Sequence, residues 1–220
     1  MSDKKIHVYF MPGMAANPSI FDGIKLPEAS FETHTLEWFL PEKGMSLADY
    51  AQKMCEKIKH EAPVLIGVSF GGMLVQEMAK VIPTKKVIAV SCVKTSDELP
   101  KRMLFAKYTK VHKLLPTGLV NNVELLAKYA FGETVTKRLD LYEKYLSVRD
   151  KGYIDWAIDQ IVNWKQTEPP KNLIHIHGEK DAVFPIANIA DCITVKNGTH
   201  TMIIHRARWF NENLPTIILE

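Results

Sequence analysis

Val64-Leu65-Ile66-Gly67-Val68-Ser69-Phe70-Gly71-Gly72 is the stretch that decides the fold of this chain. Its apolar first half predicts a buried strand, and the residues from Met73 to Val81 predict a helix. Gly67 to Gly71 match G-x-S-x-G, the pattern of a nucleophile elbow, in which a strained strand-to-helix turn exposes a serine hydroxyl. Glycine is needed on both sides because the turn leaves no room for side chains. The alternative is a glycine-rich turn without chemistry.

Ser69 needs partners to become a nucleophile. A base must remove the hydroxyl proton, and a third group must hold that base in the correct tautomer. In open α/β sheets such groups come from loops at the carboxyl ends of later strands. Two loops of this kind follow, His177-Gly178-Glu179-Lys180-Asp181 and Lys196-Asn197-Gly198-Thr199-His200. We therefore predict Ser69 as nucleophile, His200 as base and Asp181 as orienting acid, in the order Ser, Asp, His.

Each partner has a competitor in the sequence. Glu179 lies in the same loop as Asp181, and Asp97 follows the strand that precedes a long helical stretch, where some proteins with such a site carry the acid. His205 lies five residues after His200, inside the last predicted helix, and is expected to be packed or exposed. His200 itself could be a helix-capping or surface histidine, but it follows a glycine at the correct strand end.

The remaining histidines offer a second chemistry. His175-Ile176-His177 places two imidazoles on one strand face with Asp181 nearby, which could be a metal pair, but the further ligands that metal hydrolases need at close spacing do not follow. We predict no metal site and no cofactor. Four other histidines have no neighbouring constellation and are expected to be structural or solvated: His7, His34, His60 and His112.

Acyl transfer also requires two backbone N–H donors for the oxyanion. One is expected from Phe70, the residue after the serine, and the other from the loop after the first strand. That loop is Pro12-Gly13-Met14-Ala15, so we predict Met14 as the second donor, with Gly13 allowing a close approach of the backbone. The alternative is that Pro12-Gly13 is simply a turn.

The rest of the chain predicts an α/β protein. Apolar strands alternate with helices, including helices over Leu47–Glu61 and Met202–Leu214, which indicates a mostly parallel sheet of about six strands with helices on both faces. From Glu98 to about Gln166 only helical periodicity occurs, which predicts a lid over residues 97–169 and a core of residues 1–96 and 170–220. The predicted strands are Ile6–Phe10, Phe31–Trp38, Val64–Val68, Lys86–Ser91, Leu173–His177 and Cys192–Val195.

The composition limits the classes of partner that the chain is expected to bind. Its 220 residues are 46% hydrophobic and 24% charged, which is enough apolar material for one packed core. The net charge of +3 is too mild to indicate nucleic-acid binding, and no apolar run approaches membrane-spanning length. Three cysteines without paired spacing favour free thiols. We expect a soluble, cytoplasmic protein without membrane insertion.

These motifs together resemble those of the α/β-hydrolase superfamily over nearly the whole chain. Gly67 to Gly72 are similar to its elbow, His177-Gly178-x-x-Asp181 with Pro185 to its acid turn, and Gly198-x-His200 to its histidine loop. Two features depart from the family: Pro12-Gly13 stands where many members have His-Gly, and the N-terminal hairpin of the eight-stranded fold is missing. The resemblance implies a compact, lidded member like the small esterases, thioesterases and carbon–carbon hydrolases.

The expected reaction is hydrolysis of an ester or thioester through an acyl-serine. Alternatives are a lyase or carbon–carbon hydrolase on the same triad, or a non-catalytic small-molecule binding protein. One stretch of the predicted lid carries five fixed positive charges and no acid, which is typical of a solvated helix face but would also suit an anionic acyl carrier. These residues are Lys101, Arg102, Lys107, Lys110 and Lys113.

Overall fold

The computed structural model describes residues 5–110 and 144–220. The helices predicted between 111 and 143 lie outside these ranges. Among the described residues, no helix has the length and apolar character needed to cross a membrane. The strands are β1 (Ile6–Met11), β2 (Phe31–Thr35), β3 (Val64–Val68), β4 (Lys86–Val90), β5 (Leu173–Gly178) and β6 (Ile193–Val195). The helices are α1 (Leu47–Cys55), α2 (Phe70–Met78), α3 (Lys101–Thr109), α4 (Lys151–Asn163), α5 (Met202–His205) and α6 (Ala207–Leu219).

The six strands form one parallel sheet in the order β2-β1-β3-β4-β5-β6. Every residue of β3 is buried. Because successive side chains of a strand point to opposite faces, this burial means that both faces of the sheet are covered. The structure therefore confirms the predicted six-stranded α/β architecture, and all of the pairings are parallel.

Strand order places the predicted site at the carboxyl ends of the strands. Ser69 directly follows β3, the acid loop follows β5, and the histidine loop follows β6. β5 pairs with β6, so the acid and histidine loops start side by side, and β4 lies between β5 and β3, the strand that leads into the elbow. Since all strands run in the same direction, their carboxyl ends meet there.

Three helices differ in their bounds from the prediction. α2 covers Phe70–Met78 rather than Met73–Val81. α1 ends at Cys55 rather than near Glu61, because the following turn closes with shorter-range bonds, from the Glu56 N–H to Lys53 and from the Lys57 N–H to Met54. The single helix expected over Met202–Leu214 is two helices, because Arg206 departs from helical geometry with φ of −117° and ψ of 24°. Apolar periodicity continues across both interruptions, so the sequence pattern did not reveal them.

The last helix of the predicted lid packs against the body of the protein. Trp156 of α4 donates its Nε1–H to the Met45 carbonyl at 2.7 Å, and Trp164 donates to the Glu77 carboxylate at 2.7 Å. Tyr153 and Ala157 of α4 are fully buried. The division into a core and a lid over residues 97–169 stays a prediction.

Candidate active site

The backbone around Ser69 has the geometry of a strained elbow. Ser69 has φ of 52° and ψ of −122°, a region that non-glycine residues rarely occupy. A Cβ on Gly67 would lie 2.2 Å from the Gly71 carbonyl oxygen, and one on Gly71 would lie 2.3 Å from the Pro12 carbonyl oxygen. The turn is therefore closed by direct backbone contact between β3, α2 and the end of β1. The Ser69 N–H donates to Val90 at 2.9 Å, which ties the elbow to β4.

The structure brings Ser69, His200 and Asp181 into one hydrogen-bonded line. His200 Nε2 lies 2.9 Å from Ser69 Oγ, and His200 Nδ1 lies 2.8 Å from Asp181 Oδ2. His200 and Asp181 are 3% and 4% exposed, whereas Ser69 is partly exposed. If Nδ1 carries the proton and donates it to the carboxylate, Nε2 is left as the acceptor for the serine hydroxyl.

The second carboxylate oxygen of Asp181 is held by the backbone. Its Oδ1 accepts the N–H groups of Val183 and Phe184 at 2.8 and 2.9 Å. Burial on its own would raise the pKa of Asp181, but the nearby His200 and these hydrogen bonds outweigh it and lower the pKa below its ordinary value. The carboxylate is therefore ionised and fixed in orientation at neutral pH.

The competing residues lie elsewhere. Glu179 accepts the Asn197 N–H at 2.7 Å and is exposed, so it braces the two loops against each other from the outside. Asp97 is exposed in a short 3-10 helix over Ser96–Glu98. His205 is exposed at the end of α5. The structure thus pairs His200 with Asp181 among the acids considered.

His175 and His177 form a buried pair behind Asp181. His177 Nε2 lies 2.8 Å from the Phe184 carbonyl oxygen, and His175 Nε2 lies 3.1 Å from the Cys92 carbonyl oxygen and 3.3 Å from His177 Nδ1. Because each Nε2 faces a carbonyl, both rings are Nε2–H tautomers, and His177 Nδ1 accepts from His175. Burial, reinforced by His177, lowers the pKa of His175 to about 3. The pair is a neutral hydrogen-bonded support for the acid loop.

The predicted oxyanion donors are Phe70, which directly follows Ser69, and Met14, whose neighbour Gly13 lies close to the serine: a Cβ on Gly13 would be 3.5 Å from Ser69 Cβ. Phe70 is the first residue of α2, so its N–H has no acceptor within the helix and lies at the positive end of the helix dipole. The ring of Phe70 stacks on Trp38, with centroids 5.0 Å apart. Met14 is partly buried against the core in the loop after β1. These positions suit the stabilisation of negative charge beside Ser69.

One cluster was missed from the sequence. His7, His34 and His60 were expected to lack neighbours, and that expectation was wrong, because their ring nitrogens gather within 4.8 Å of one another. His112 lies outside the described residues. The sequence gives little indication of this cluster, because its prediction requires the register of β1 on β2. That register pairs Tyr9 with His34 and thereby places His7 near His34.

No protein-family model matches the chain, and no curated protein sequence matches it either. Several solved structures are similar to the chain. The enol-lactonase from Burkholderia xenovorans LB400 is similar at 14% identity and TM-score 0.70, covering 99% of this chain and 92% of that one. The bromoperoxidase from Bacillus anthracis is similar at 17% identity and TM-score 0.68, covering 99% and 93%. A thermophilic esterase from Thermogutta terrifontis is similar at 11% identity and TM-score 0.64, covering 98% and 92%.

These structures agree with the chain over almost the full length of both partners, at identities that establish the fold alone. The parallel six-stranded sheet and the strained serine turn after β3 agree with the same assignment. The chain has the α/β-hydrolase fold.

Proposed function

We propose that the chain is a serine hydrolase that cleaves a carboxylic ester or thioester through an acyl-serine. The observation that carries this proposal is the continuous hydrogen-bonded line from Ser69 Oγ through the His200 ring to Asp181. A buried histidine between a strained serine and an ionised carboxylate is the arrangement that activates a hydroxyl.

The first half of the reaction acylates Ser69. The hydroxyl oxygen attacks the substrate carbonyl carbon while His200 Nε2 takes the hydroxyl proton. The carbonyl oxygen becomes an oxyanion, which accepts hydrogen bonds from the N–H groups of Met14 and Phe70. When the tetrahedral intermediate collapses, the bond to the alcohol or thiol breaks. His200 gives its proton to that leaving group, and the acyl-serine ester remains.

The second half restores the enzyme. A water gives one proton to His200 Nε2 as its oxygen attacks the acyl carbon, and the same N–H donors hold the second oxyanion. Collapse releases the carboxylic acid and returns the proton to Ser69 Oγ. Asp181 accepts a hydrogen bond from Nδ1–H throughout, which keeps Nε2 basic and stabilises the imidazolium that forms twice.

Two other classes fit the same scaffold. A lyase or a carbon–carbon hydrolase would use the line for proton transfer, and a binding protein would use the site without turnover. The similar solved proteins are described as an enol-lactonase, a bromoperoxidase and an esterase, so one fold serves several chemistries. The intact arrangement of Ser69, His200 and Asp181 favours catalysis over simple binding, and the lactonase and esterase favour ester cleavage.

A fluorophosphonate probe tests the proposal directly, because it labels only an activated serine. We expect labelling of the wild-type chain and of His205→Gln, and no labelling of Ser69→Ala or His200→Ala. Turnover of p-nitrophenyl esters in a panel of chain lengths should fall at least about 10³-fold in both site variants. Labelling without turnover of any ester or thioester would favour the carbon–carbon or lyase alternative, and wild-type rates in Ser69→Ala would refute the mechanism.

We further propose that α3 helps to dock an anionic acyl carrier, such as a coenzyme A tail. Lys101 and Lys110 are exposed, and Lys107 is partly exposed. Arg102 has another role, since it donates to the Ala182 and Val183 carbonyls at 3.1 and 2.8 Å and so joins α3 to the acid loop. Lys113 lies outside the described residues.

Charge reversal separates docking from catalysis. Lys101→Glu combined with Lys110→Glu should raise KM for an acyl-CoA several-fold and leave KM for a neutral ester with the same acyl group unchanged. The effect should shrink as salt is added, because exposed charges are screened. Equal effects on both substrates would rule the carrier out.

A cytoplasmic location is also part of the proposal. Cys55, Cys92 and Cys192 are all free thiols. Burial raises the pKa of Cys55 to about 11 and raises that of Cys92 as well, which makes these two thiols unreactive. Free cysteines suit a reducing compartment.

A further inference from the structure

Three histidines that take no part in the proposed reaction meet on one side of the sheet. His7 comes from β1, His34 from β2 and His60 from the segment between α1 and β3. The nitrogens His7 Nδ1 and His34 Nε2 are 3.1 Å apart, and the His7 and His60 rings stack with centroids 3.4 Å apart. All three offer a nitrogen within a span of 4.8 Å, and all three are partly buried.

The sheet register explains how two of these side chains meet. His7 pairs with Glu32 and Tyr9 pairs with His34 in the parallel β1–β2 ladder. Residues two apart on a strand share a face, so these four side chains project from the same side of the sheet. The strand register therefore places His7 and His34 on one face of the sheet, within reach of each other.

Two neighbours complete the surroundings of the cluster. Tyr9 positions the third histidine, since its hydroxyl lies 2.6 Å from His60 Nδ1 and accepts the Lys59 N–H at 3.2 Å. Glu32 supplies a negative charge, with carboxylate oxygens 3.7 Å from His7 Nδ1 and 3.7 Å from His34 Nε2. Its side chain is half exposed, so it can move toward a bound cation.

We propose that His7, His34 and His60 bind a divalent transition-metal cation, with Zn²⁺ as the best match and Glu32 as the fourth ligand. Three imidazoles and a carboxylate are a common ligand set for zinc. Ligand atoms about 2.0–2.1 Å from a tetrahedral Zn²⁺ lie about 3.3–3.4 Å apart. His7 Nδ1 and His34 Nε2 already have nearly this separation, and side-chain rotation, which unstacks His60 from His7, closes the remaining distances.

The site is separate from Ser69 and has a structural role. His7 lies four residues before Met11, the last residue of β1. It is therefore roughly 13 Å along the strand from the carboxyl ends of the strands, where the elbow lies. β2 is an edge strand that pairs only with β1 among the described residues. A cation held by His7, His34 and His60 links this edge strand to the segment that leads into β3, and stabilises the fold without entering the reaction.

The test measures Zn²⁺ binding to the purified chain after removal of metal with a chelator. Equilibrium dialysis with metal analysis should give one Zn²⁺ per chain, and Zn²⁺ at a hundred times its Kd should raise Tm by about 5–10 °C. His34→Gln and His60→Gln should each weaken binding at least about tenfold. Their metal-free Tm values report whether each variant folds, and because His34 and His60 are both partly exposed, two independent variants are available.

Matched controls locate the ion. His205→Gln removes an exposed histidine far along the chain and should bind Zn²⁺ like the wild type. His200→Gln should also keep full binding, which makes the result independent of the proposed hydrolase activity. The proposal is overturned if binding is well below one ion per chain, if His34→Gln and His60→Gln bind like the wild type, or if His200→Gln loses the ion.

Discussion

Trp38 donates its Nε1–H to the Gly13 carbonyl oxygen at 2.8 Å. The same oxygen accepts the Ala16 N–H at 3.1 Å, so its direction is fixed from two sides. The Gly13 carbonyl and the Met14 N–H belong to one trans peptide unit and point in opposite directions. Trp38 therefore contributes to the direction of the Met14 N–H, and its ring also stacks on Phe70, the other proposed oxyanion donor.

Trp38→Phe tests this orientation. The variant keeps an aromatic ring against Phe70 but loses the donor to Gly13, so the Met14 N–H is less firmly held. Loss of a whole oxyanion donor costs about 10²–10³ in kcat, and we expect loosened orientation to cost about tenfold, with KM little changed. Trp209→Phe, in α6, is the matched control. An unchanged kcat in Trp38→Phe would show that Met14 does not depend on this contact.

Asp181→Asn should lower kcat by about 10³–10⁴-fold while the fold is retained. An amide in place of the carboxylate can donate to His200 Nδ1, which favours the tautomer with its proton on Nε2 and removes the base. Glu179→Gln is the control from the same loop, because a glutamine can still accept the Asn197 N–H. Comparable activity in both variants would mean that Asp181 does not orient the histidine.

Stability should fall on mild acidification because of the buried histidine pair. The pKa of His175 is about 3 in the folded chain, and burial lowers that of His177 too, although Asp181 opposes the shift. A histidine whose pKa is lower in the folded chain than in the unfolded chain is protonated first in the unfolded chain as pH falls. The free energy of unfolding is therefore highest above about pH 6.5 and decreases as pH falls toward the pKa of the folded chain. For His175 this loss is about 2 kcal/mol between about pH 8 and about pH 5.

Urea unfolding at these two pH values measures the effect. His175→Gln keeps a donor for the Cys92 carbonyl but cannot titrate. Between the two pH values its free energy of unfolding should therefore decrease by about 2 kcal/mol less than that of the wild type. Asp181 contributes in the same direction only at lower pH, because its own pKa lies below the ordinary range for an aspartate. Parallel losses in the wild type and in His175→Gln would exclude His175 as the titrating group.

Gly71→Ala should destabilise the chain by about 3 kcal/mol or more. Its Cβ would lie 2.3 Å from the Pro12 carbonyl oxygen and 2.6 Å from that of Met11, and neither backbone group can move without opening the elbow. Gly13→Ala is the contrast, since its Cβ would lie 3.4 Å from the Val68 carbonyl oxygen, an ordinary contact. Thermal unfolding should show a large loss of Tm for Gly71→Ala only. Equal Tm values would mean that the elbow can relax.

Local patterns in the sequence were enough to predict the frame of the protein. The apolar runs at Val64–Val68 and Lys86–Ser91 predicted buried parallel strands, which the sheet confirms at Val64–Val68 and Lys86–Val90. The glycines around Ser69 predicted a close backbone turn, since no other residue fits where a Cβ would meet a carbonyl oxygen at 2.2–2.3 Å. The chain order Ser69, Asp181, His200 predicted three residues that the structure brings together.

The sequence by itself therefore determined the sheet, the elbow and the loops that meet beside it, because each is encoded by short-range hydrophobic periodicity or by a steric need for glycine. Only the tertiary structure decided that Trp38 holds the Gly13 peptide, and that His7, His34 and His60 form one cluster. These contacts join residues far apart in the chain. They depend on strand register, on loop path and on side-chain rotamers, none of which a local pattern specifies.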